Sequence, residues 1–355
     1  MKSFTSRVEI IEDLLKKMNA PPYRKRQVFE SIYKQYVQKY SDISTLPKHL
    51  QDIFIENMGN SVLSLENIFD VEAEQVIKVL FKTKDEERIE AVYMHFRANV
   101  ERLNEHLSLC ISSQSGCNLG CTFCATGAIG FKKNLTVDEI TDQVLYFLQK
   151  GLNVGNISFM GMGEPFANPN FFEALKIITD KDKMNFSQRR LSVSTVGLVP
   201  GIKRLQKEFP FVSLAFSLHT PFLDQRFEIM PITKAYPISA VMEALNEYIN
   251  ETNRKVFIAY VLLDNINDSF EHAKELAKLI KRQGKNNYLY HVNLIKFNPG
   301  TTFRPYGKPS VARINGFRNE LDKLGINHTL RQSFGVGIDA ACGQLYGKYN
   351  KVIKD

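Results

Sequence analysis

From residue 107 onward, strand-like and helix-like segments alternate six times, and no other feature of the chain limits its fold so strongly. Apolar runs near 107–113, 156–161, 191–196, 212–217, 256–262 and 290–297 read as strands. Segments of helical period follow each in turn, near 137–150, 171–180, 201–208, 238–250, 270–283 and 311–324. Such alternation specifies an α/β fold with a parallel sheet and crossover helices. The first helix opens on the capping box Thr136-x-x-Glu139, turns Val137, Ile140, Val144, Phe147 and Leu148 inward, and stops at Gly151. Six βα units are too few for a closed eightfold barrel, so a partial (βα)6 barrel is expected, with its site at the carboxyl ends of the strands.

Ahead of the barrel stand two segments of different character. Residues 1–60 read as a small helical domain. Ser6-x-x-Glu9 caps a first helix carrying Val8, Ile11, Leu14, Leu15 and Met18, which Asn19-Ala-Pro-Pro22 ends. A second helix begins at Tyr23-Arg-Lys-Arg26 and turns Val28, Phe29, Ile32 and Tyr33 inward. Its basic start beside an aromatic suits an RNA backbone, although a solvated helix face accounts for the same residues. Residues 61–106 shift to period two. Glu74–Phe81 and Arg88–Met94 read as strands joined by the charged turn Thr83-Lys-Asp-Glu-Glu87, placing Glu90 within a largely apolar strand.

Three of the five cysteines fall within eight positions, as Cys117-x-x-x-Cys121-x-x-Cys124. A disulfide framework does not use cysteines this way, and thiolates so spaced can converge on one metal centre. Zinc takes four closed ligands, and no second Cys-x-x-Cys or His pair follows. A [4Fe–4S] cube takes four thiolates, so three would leave one iron open to a ligand that is not protein. With Phe123 just before the third cysteine, the motif resembles the radical S-adenosylmethionine (SAM) superfamily, in which the open iron chelates the amino and carboxylate groups of SAM.

The strand tips add to this pattern. Ile157-Ser-Phe-Met160 runs into Gly161-Met-Gly-Glu-Pro165, whose glycines would let the backbone approach a ligand and whose Glu164 offers an acceptor for an amine. Leu191-Ser-Val-Ser194-Thr-Val-Gly197, Phe216-Ser217-Leu218-His219 and Phe297-Asn298-Pro299 likewise end in polar groups. Each alone is compatible with an ordinary turn, and His219 with a satisfied core histidine.

The formal net charge of +8 points to a polyanionic partner, since lysine and arginine displace counterions from phosphates. No run approaches the roughly 18 apolar residues of a membrane span, and Met1-Lys-Ser-Phe-Thr-Ser-Arg7 leads into an amphipathic helix rather than a signal sequence. A cytoplasmic protein without membrane attachment is expected, with no repeats or low-complexity tracts.

Taken together, Ser112-Ser-Gln-x-Gly-Cys117, Gly161-Met-Gly-Glu-Pro165, Ser217-Leu-His219 and Ile338-Asp-Ala-Ala-Cys342-Gly-Gln-Leu345 resemble the RlmN/Cfr family of radical SAM RNA methyltransferases over nearly the whole chain. The resemblance implies methylation of an adenosine of 23S ribosomal RNA at the peptidyl transferase centre, on carbon 8 or carbon 2. Neither carbon has a lone pair to attack SAM, so the family uses a relay. By this likeness Cys117, Cys121 and Cys124 hold one [4Fe–4S] cluster, and two SAM molecules are used per turnover. Cys342 takes a methyl group from the first. The second is cleaved reductively and removes hydrogen from that methyl, whose carbon then adds to the adenine. Glu90 accepts the proton lost from the base, and Cys110 resolves the protein–RNA adduct by attacking the Cys342 sulfur. A resolving thiol must ionise, so Cys110 is expected to be accessible. SAM contacts fall to Gly163, Glu164, Ser194, Ser217, Leu218, His219 and Asn298.

The likeness also divides the chain into an RNA-binding accessory domain at 1–60, a β extension at 61–106, the barrel at 107–325 and a segment at 326–355 carrying the methyl-acceptor cysteine. It implies a naked or pre-assembly 23S rRNA partner, an electron donor such as flavodoxin, and a monomer. Cys124-Ala-Thr-Gly127, Asn134–Val144, Tyr290-His-Val-Asn-Leu294 and Gln344-Leu-Tyr-Gly347 resemble the Cfr branch, whose carbon-8 methylation confers antibiotic resistance. Pro165 and Ser115 match the RlmN branch, which methylates carbon 2. Carbon 8 is the expectation; the alternative is carbon 2 of the same adenosine, with transfer RNA as a further substrate. An RNA-binding factor without turnover would not need all five cysteines, and an activase acting on a partner protein would not need Cys110 or Cys342.

Overall fold

The computed structural model describes residues 6–73, 75–96, 105–300, 302–341 and 343–345. Glu74, Cys342, Tyr346 and Gly347, named above, lie outside them. Three helices come first: α1 (Arg7–Lys17), α2 (Tyr23–Tyr33) and α3 (Lys48–Met58). Ser6 caps α1 by accepting from the Glu9 amide, as the sequence predicts, and Val28, Phe29, Ile32 and Tyr33 of α2 are buried. Beneath these helices Arg7 is itself buried, its Nε 3.3 Å from Asp138 and its terminal nitrogen paired with Asp142. The helical unit is thereby fastened to the first barrel helix by charge as well as by apolar packing.

Four strands, β1 (Glu66–Ala73), β2 (Val76–Lys82), β3 (Arg88–Phe96) and β4 (His106–Cys110), pair in antiparallel order. A two-stranded ribbon follows, β5 (Gln114–Gly116) with β6 (Phe131–Asn134), enclosing the four-residue helix α4 (Ala125–Ala128). From there the chain alternates. Helix α5 (Val137–Gln149) leads to β7 (Asn156–Phe159), α6 (Phe171–Thr179), β8 (Leu191–Thr195), α7 (Val199–Glu208) and β9 (Ser213–Ser217). After the short α8 (Leu223–Ile229) come α9 (Ile238–Thr252), β10 (Val256–Leu262), α10 (Phe270–Lys281), β11 (Tyr290–Lys296), α11 (Val311–Lys323) and β12 (His328–Arg331).

All strands except the ribbon join one ten-stranded sheet in the order β1-β2-β3-β4-β7-β8-β9-β10-β11-β12. Every neighbour from β4 to β12 is parallel. The six strands and six crossover helices expected from the alternation are all present, and β12 adds a seventh parallel strand. Its sequence, His-Thr-Leu-Arg, is short and largely polar because it forms the sheet edge, so no apolar run announced it.

The two faces of the sheet differ. Helix α5 covers the outer face of the extension, with Phe81 edge-on to Tyr146 at 4.9 Å and Tyr93 stacked on Phe147 at 5.6 Å. Residues of opposite parity in these strands therefore point to the concave face. Both halves of the α5 capping box form, Glu139 N to Thr136 Oγ1 at 3.1 Å and Thr136 N to Glu139 Oε2 at 2.8 Å. Among the described residues, no helix is long and apolar enough to cross a membrane.

Candidate active site

The cysteine loop is held by its own backbone. Gly116 has a φ of +71°, and a Cβ there would stand 1.8 Å from the Gly130 carbonyl oxygen. Only glycine lets the two arms of the ribbon close at this point. The Cys117 amide then donates to that same carbonyl at 3.1 Å, and Cys124 N donates to Cys121 O at 3.2 Å. Thr122 N donates to Ile229 O at 3.0 Å, and the Thr122 hydroxyl meets Tyr306 Oη at 2.5 Å.

Cys117, Cys121 and Cys124 are free and half-buried. Burial, then the charges of Cys124 and Glu164, push the Cys117 thiol up to about 12; burial and the other two thiols push Cys121 well above its ordinary range. The three sulfurs thus lie close enough to repel one another once ionised, and a cationic iron centre is what would hold them as thiolates. Among the described residues, no three His, Cys, Asp or Glu side chains are set to hold a single metal ion. Three thiolates with one corner left open suit a cluster, whereas a structural zinc takes four closed ligands.

Behind the loop, Ser112-Ser-Gln114 serves as scaffold. Ser112 N donates to Gln143 Oε1 at 2.8 Å, Ser112 Oγ donates to Glu90 O at 2.7 Å, and Met162 N donates to Ser112 Oγ at 2.9 Å. Gly163, at φ +92°, has the Gln114 side chain where its Cβ would be, 2.4 Å away. The expectation that these glycines clear room for a ligand needs this addition: at Gly163 the room is taken by Gln114. Glu164 is buried; its carboxylate accepts from Val196 N at 2.9 Å and Phe166 N at 3.3 Å, while burial lifts its pKa to about 7. It therefore ties the loop after β7 to the end of β8.

At the next two tips, Ser194 and Ser217 bring their hydroxyls to 3.2 Å. Leu218 and His219 are buried, and both amides donate to Ala259 O. His219 Nδ1 accepts from Val261 N at 2.9 Å, so a neutral ring carries its proton on Nε2. Burial, then Arg226, pushes its pKa down to about 3, and the ring meets Phe123 of the cysteine loop edge-on at 4.9 Å. Asn298 is buried just past β11.

Arg226 of α8 is a residue the sequence reading passed over. It is fully buried, and its guanidinium donates to Leu218 O, Val196 O, Ser217 O and the Thr233 hydroxyl at 2.7–3.1 Å. Among the described residues it has no carboxylate partner, and Cys121 is the anionic group that raises its pKa against the loss from burial.

The remaining relay candidates gather on the concave face of the extension. Register sets Val92 opposite both Lys78 and Cys110, and Leu80 opposite Glu90. Lys78, Glu90 and Cys110 therefore share one face on three adjacent strands. Lys78 Nζ lies 3.5 Å from Glu90 Oε1, and both side chains are essentially without solvent exposure. Cys110 is half-buried against the core, less open than a freely accessible thiol.

Onto this face folds the segment 334–341. Phe334 packs on Phe96 at 4.5 Å, Gly335 lies against Val76, and Asp339 O accepts from Lys78 Nζ at 3.1 Å. Beyond it, Ala125 N donates to Gly343 O at 3.1 Å and Gln344 Nε2 to Pro299 O at 2.8 Å. Cys342 lies outside the described residues, but the chain on its two sides is anchored at Lys78 and immediately after Cys124.

The sequence matches the radical SAM superfamily over residues 111–280, which take in all three clustered cysteines. Over 341 residues and 96% of both chains it is 49% identical to the ribosomal RNA large subunit methyltransferase Cfr of Staphylococcus aureus. The protein of that name from Bacillus velezensis is 45% identical, again over 96% of both chains. A crystal structure of a radical SAM methyltransferase from Sphaerobacter thermophilus superposes with a TM-score of 0.87 at 40% identity, covering 96% of this chain and 98% of that one. The chain belongs to the RlmN/Cfr family of radical SAM methyltransferases. Membership in this family implies a [4Fe–4S] cluster and SAM. Lys78 left a trace in the sequence, as a lysine inside the apolar run Val76–Phe81; Arg226, in a seven-residue helix, left none.

Proposed function

We propose that the protein methylates an adenosine of 23S ribosomal RNA at carbon 8, through a methyl thioether on Cys342 and a covalent protein–RNA intermediate. The observation that carries the relay in this reading is the shared concave face: Glu90 and Cys110 stand on it together, and the segment leading to Cys342 is docked over it. Curated relatives at 45–49% identity that bear the Cfr name support the substrate class and the branch.

In this scheme Cys117, Cys121 and Cys124 are the cluster ligands. The bound cluster and SAM supply the methyl group and the hydrogen-abstracting radical chemistry, with two SAM molecules consumed per turnover and an electron from a donor of the flavodoxin class. Cys342 carries the methyl group as a thioether and, after losing one hydrogen atom, delivers its carbon to the base. Glu90, within the buried concave face, takes the proton the base loses. The one electron left on the adduct would return to the bound cluster that supplied it. Cys110 then attacks the Cys342 sulfur, so that an S–S bond forms as the S–C bond breaks. The released carbon keeps the electron pair and takes up a proton to become the methyl group, and an external thiol reduces the disulfide. Glu164 braces the Gly161–Pro165 loop, and Gly163, Ser194, Ser217, Leu218, His219 and Asn298 complete the SAM cradle.

The residues that match the RlmN branch have local duties. Ser115 Oγ donates to Glu87 and to Arg88 O at 3.1 Å each, and Pro165 opens a short 3-10 turn. Anaerobic reconstitution with iron, sulfide, reductant and SAM, followed by nucleoside mass spectrometry of a naked 23S rRNA fragment, tests the proposal. 8-Methyladenosine is expected. 2-Methyladenosine would move the chain to the other branch, and no methylated adenosine despite a full cluster would end the reading.

A further inference from the structure

A lysine ammonium with almost no solvent exposure is costly to bury, and it persists where its hydrogen bonds are all useful. Lys78 spends one interaction on Glu90 across the strand pair and another on a main-chain carbonyl distant in sequence, Asp339 O. A purely structural ion pair would be satisfied within the extension. Here the second partner belongs to the segment that leads, three residues later, to Cys342. Asp339 also adopts a left-handed backbone (φ 51°), rare for a non-glycine residue, and this turn is where the lysine takes hold.

From this geometry we infer that Lys78 is a positioning residue for the relay, clamping the C-terminal segment over Glu90 and holding the carboxylate on the concave face. The clamp gives the β extension a task beyond covering the barrel edge: β2 supplies the fastener and β3 the carboxylate, and a single ammonium keeps the carboxylate and the methyl-carrying segment in register. At the other flank Gly343 O accepts from Ala125 N and Gln344 Nε2 donates to Pro299 O, so the described contacts there are uncharged and the charged tether is the one at Lys78. This inference rests on the relay reading above for its catalytic meaning, but not for the clamp itself.

The test is Lys78→Met in the full chain with its cluster reconstituted, beside wild type. Hydrogen exchange of peptides spanning 334–341 should quicken about tenfold or more, the loss of one charge-assisted hydrogen bond, while residues 105–110 and 156–159 keep their protection. In the same samples, iron content should match wild type, and the 5′-deoxyadenosine formed per methylated adenosine should rise about tenfold, because SAM is cleaved without a well-placed methyl carrier. Unchanged exchange in 334–341 overturns the clamp. Exchange that quickens everywhere, with iron, cleavage and methylation falling in proportion, overturns the positioning role in favour of a structural one. Should Lys78→Met fail to fold, the pair Lys78→Met with Glu90→Gln removes both charges of the buried pair while still lacking the Asp339 contact, and its exchange decides the same question. If wild type itself shows no methyl on Cys342, the relay reading fails, and the exchange comparison still settles the clamp.

Discussion

Lys78 and Arg226 are both buried cations, and they solve the problem of buried charge in opposite ways. Lys78 sits beside a carboxylate on the neighbouring strand, so its charge is balanced by protein. Arg226 gives its guanidinium to three backbone carbonyls and a hydroxyl and has no carboxylate partner among the described residues. Carbonyl dipoles orient a cation but do not cancel it. The counter-charge at Arg226 has to come from the cysteine loop, where Cys121 is the anionic neighbour. One cation thus belongs to the face where the segment 334–341 docks, and the other stands beside the cysteine loop. Arg7 provides a third case, buried between Asp138 and Asp142, where two carboxylates more than balance the charge and the role is to hold α1 on α5.

The largest effect is expected where the loop depends on one atom's absence. Gly116→Ala puts a methyl group into the Gly130 carbonyl at a left-handed position, which should displace the cysteine loop and leave iron and sulfide content near that of a cluster-free protein. Wild-type iron content in that variant would show that the loop tolerates displacement, and the contrast between the two cations would lose its rigid half. Next comes Asp142→Ala, which strips Arg7 of a buried partner and should cost about 3 kcal/mol in denaturant unfolding while leaving the cluster potential unmoved. A moved potential would mean that the three cations are coupled and not separable by task.

Arg226→Met should lower the cluster's reduction potential by ~50 mV, since losing a nearby positive charge favours the oxidised form; for a one-electron couple that is close to tenfold in equilibrium. Redox titration followed by electron paramagnetic resonance reads it directly. Arg226→Lys sharpens the point by keeping charge but losing the fork. A potential restored by lysine assigns the effect to charge, whereas a potential as low as in the methionine variant assigns it to the carbonyl contacts.

Much of this arrangement was legible beforehand. The six βα units, the Ser6 cap and the Thr136-x-x-Glu139 capping box all rest on local patterns that a chain must write into consecutive residues. What escaped had no such pattern. The edge strand β12 needs only one inward apolar residue, so its four residues look like loop. Lys78 interrupts an apolar run, and nothing local says that its partner is a carbonyl 261 residues on. Arg226 lies in a helix too short to show a period, and its partners are backbone atoms, invisible to any reading of side chains. The glycines of Gly161-Met-Gly-Glu-Pro165 were legible as unusual but their reason was not, because the Gln114 side chain that occupies the space at Gly163 comes from another strand.

The smallest predicted effect tests whether His219 belongs with the cations or with the scaffold. Its Nδ1 accepts a backbone hydrogen bond in a site so desolvated that the ring stays neutral down to about pH 3, whereas the unfolded chain takes up that proton near pH 6.5. Between those values the unfolded state binds more protons, so the contribution of this site to stability is present above pH 6.5 and is lost as pH falls toward 3. From pH 7 to pH 5.5 that loss is about 1 kcal/mol for the single site. His219→Asn keeps an acceptor near Nδ1 and tolerates the left-handed backbone, φ 61°, but cannot titrate. Urea unfolding of the cluster-loaded protein at the two pH values should therefore show a smaller drop in the variant than in wild type by about that amount. Equal drops would mean that the imidazole is reached by water and free to charge, which would take His219 out of the dry wall behind Phe123.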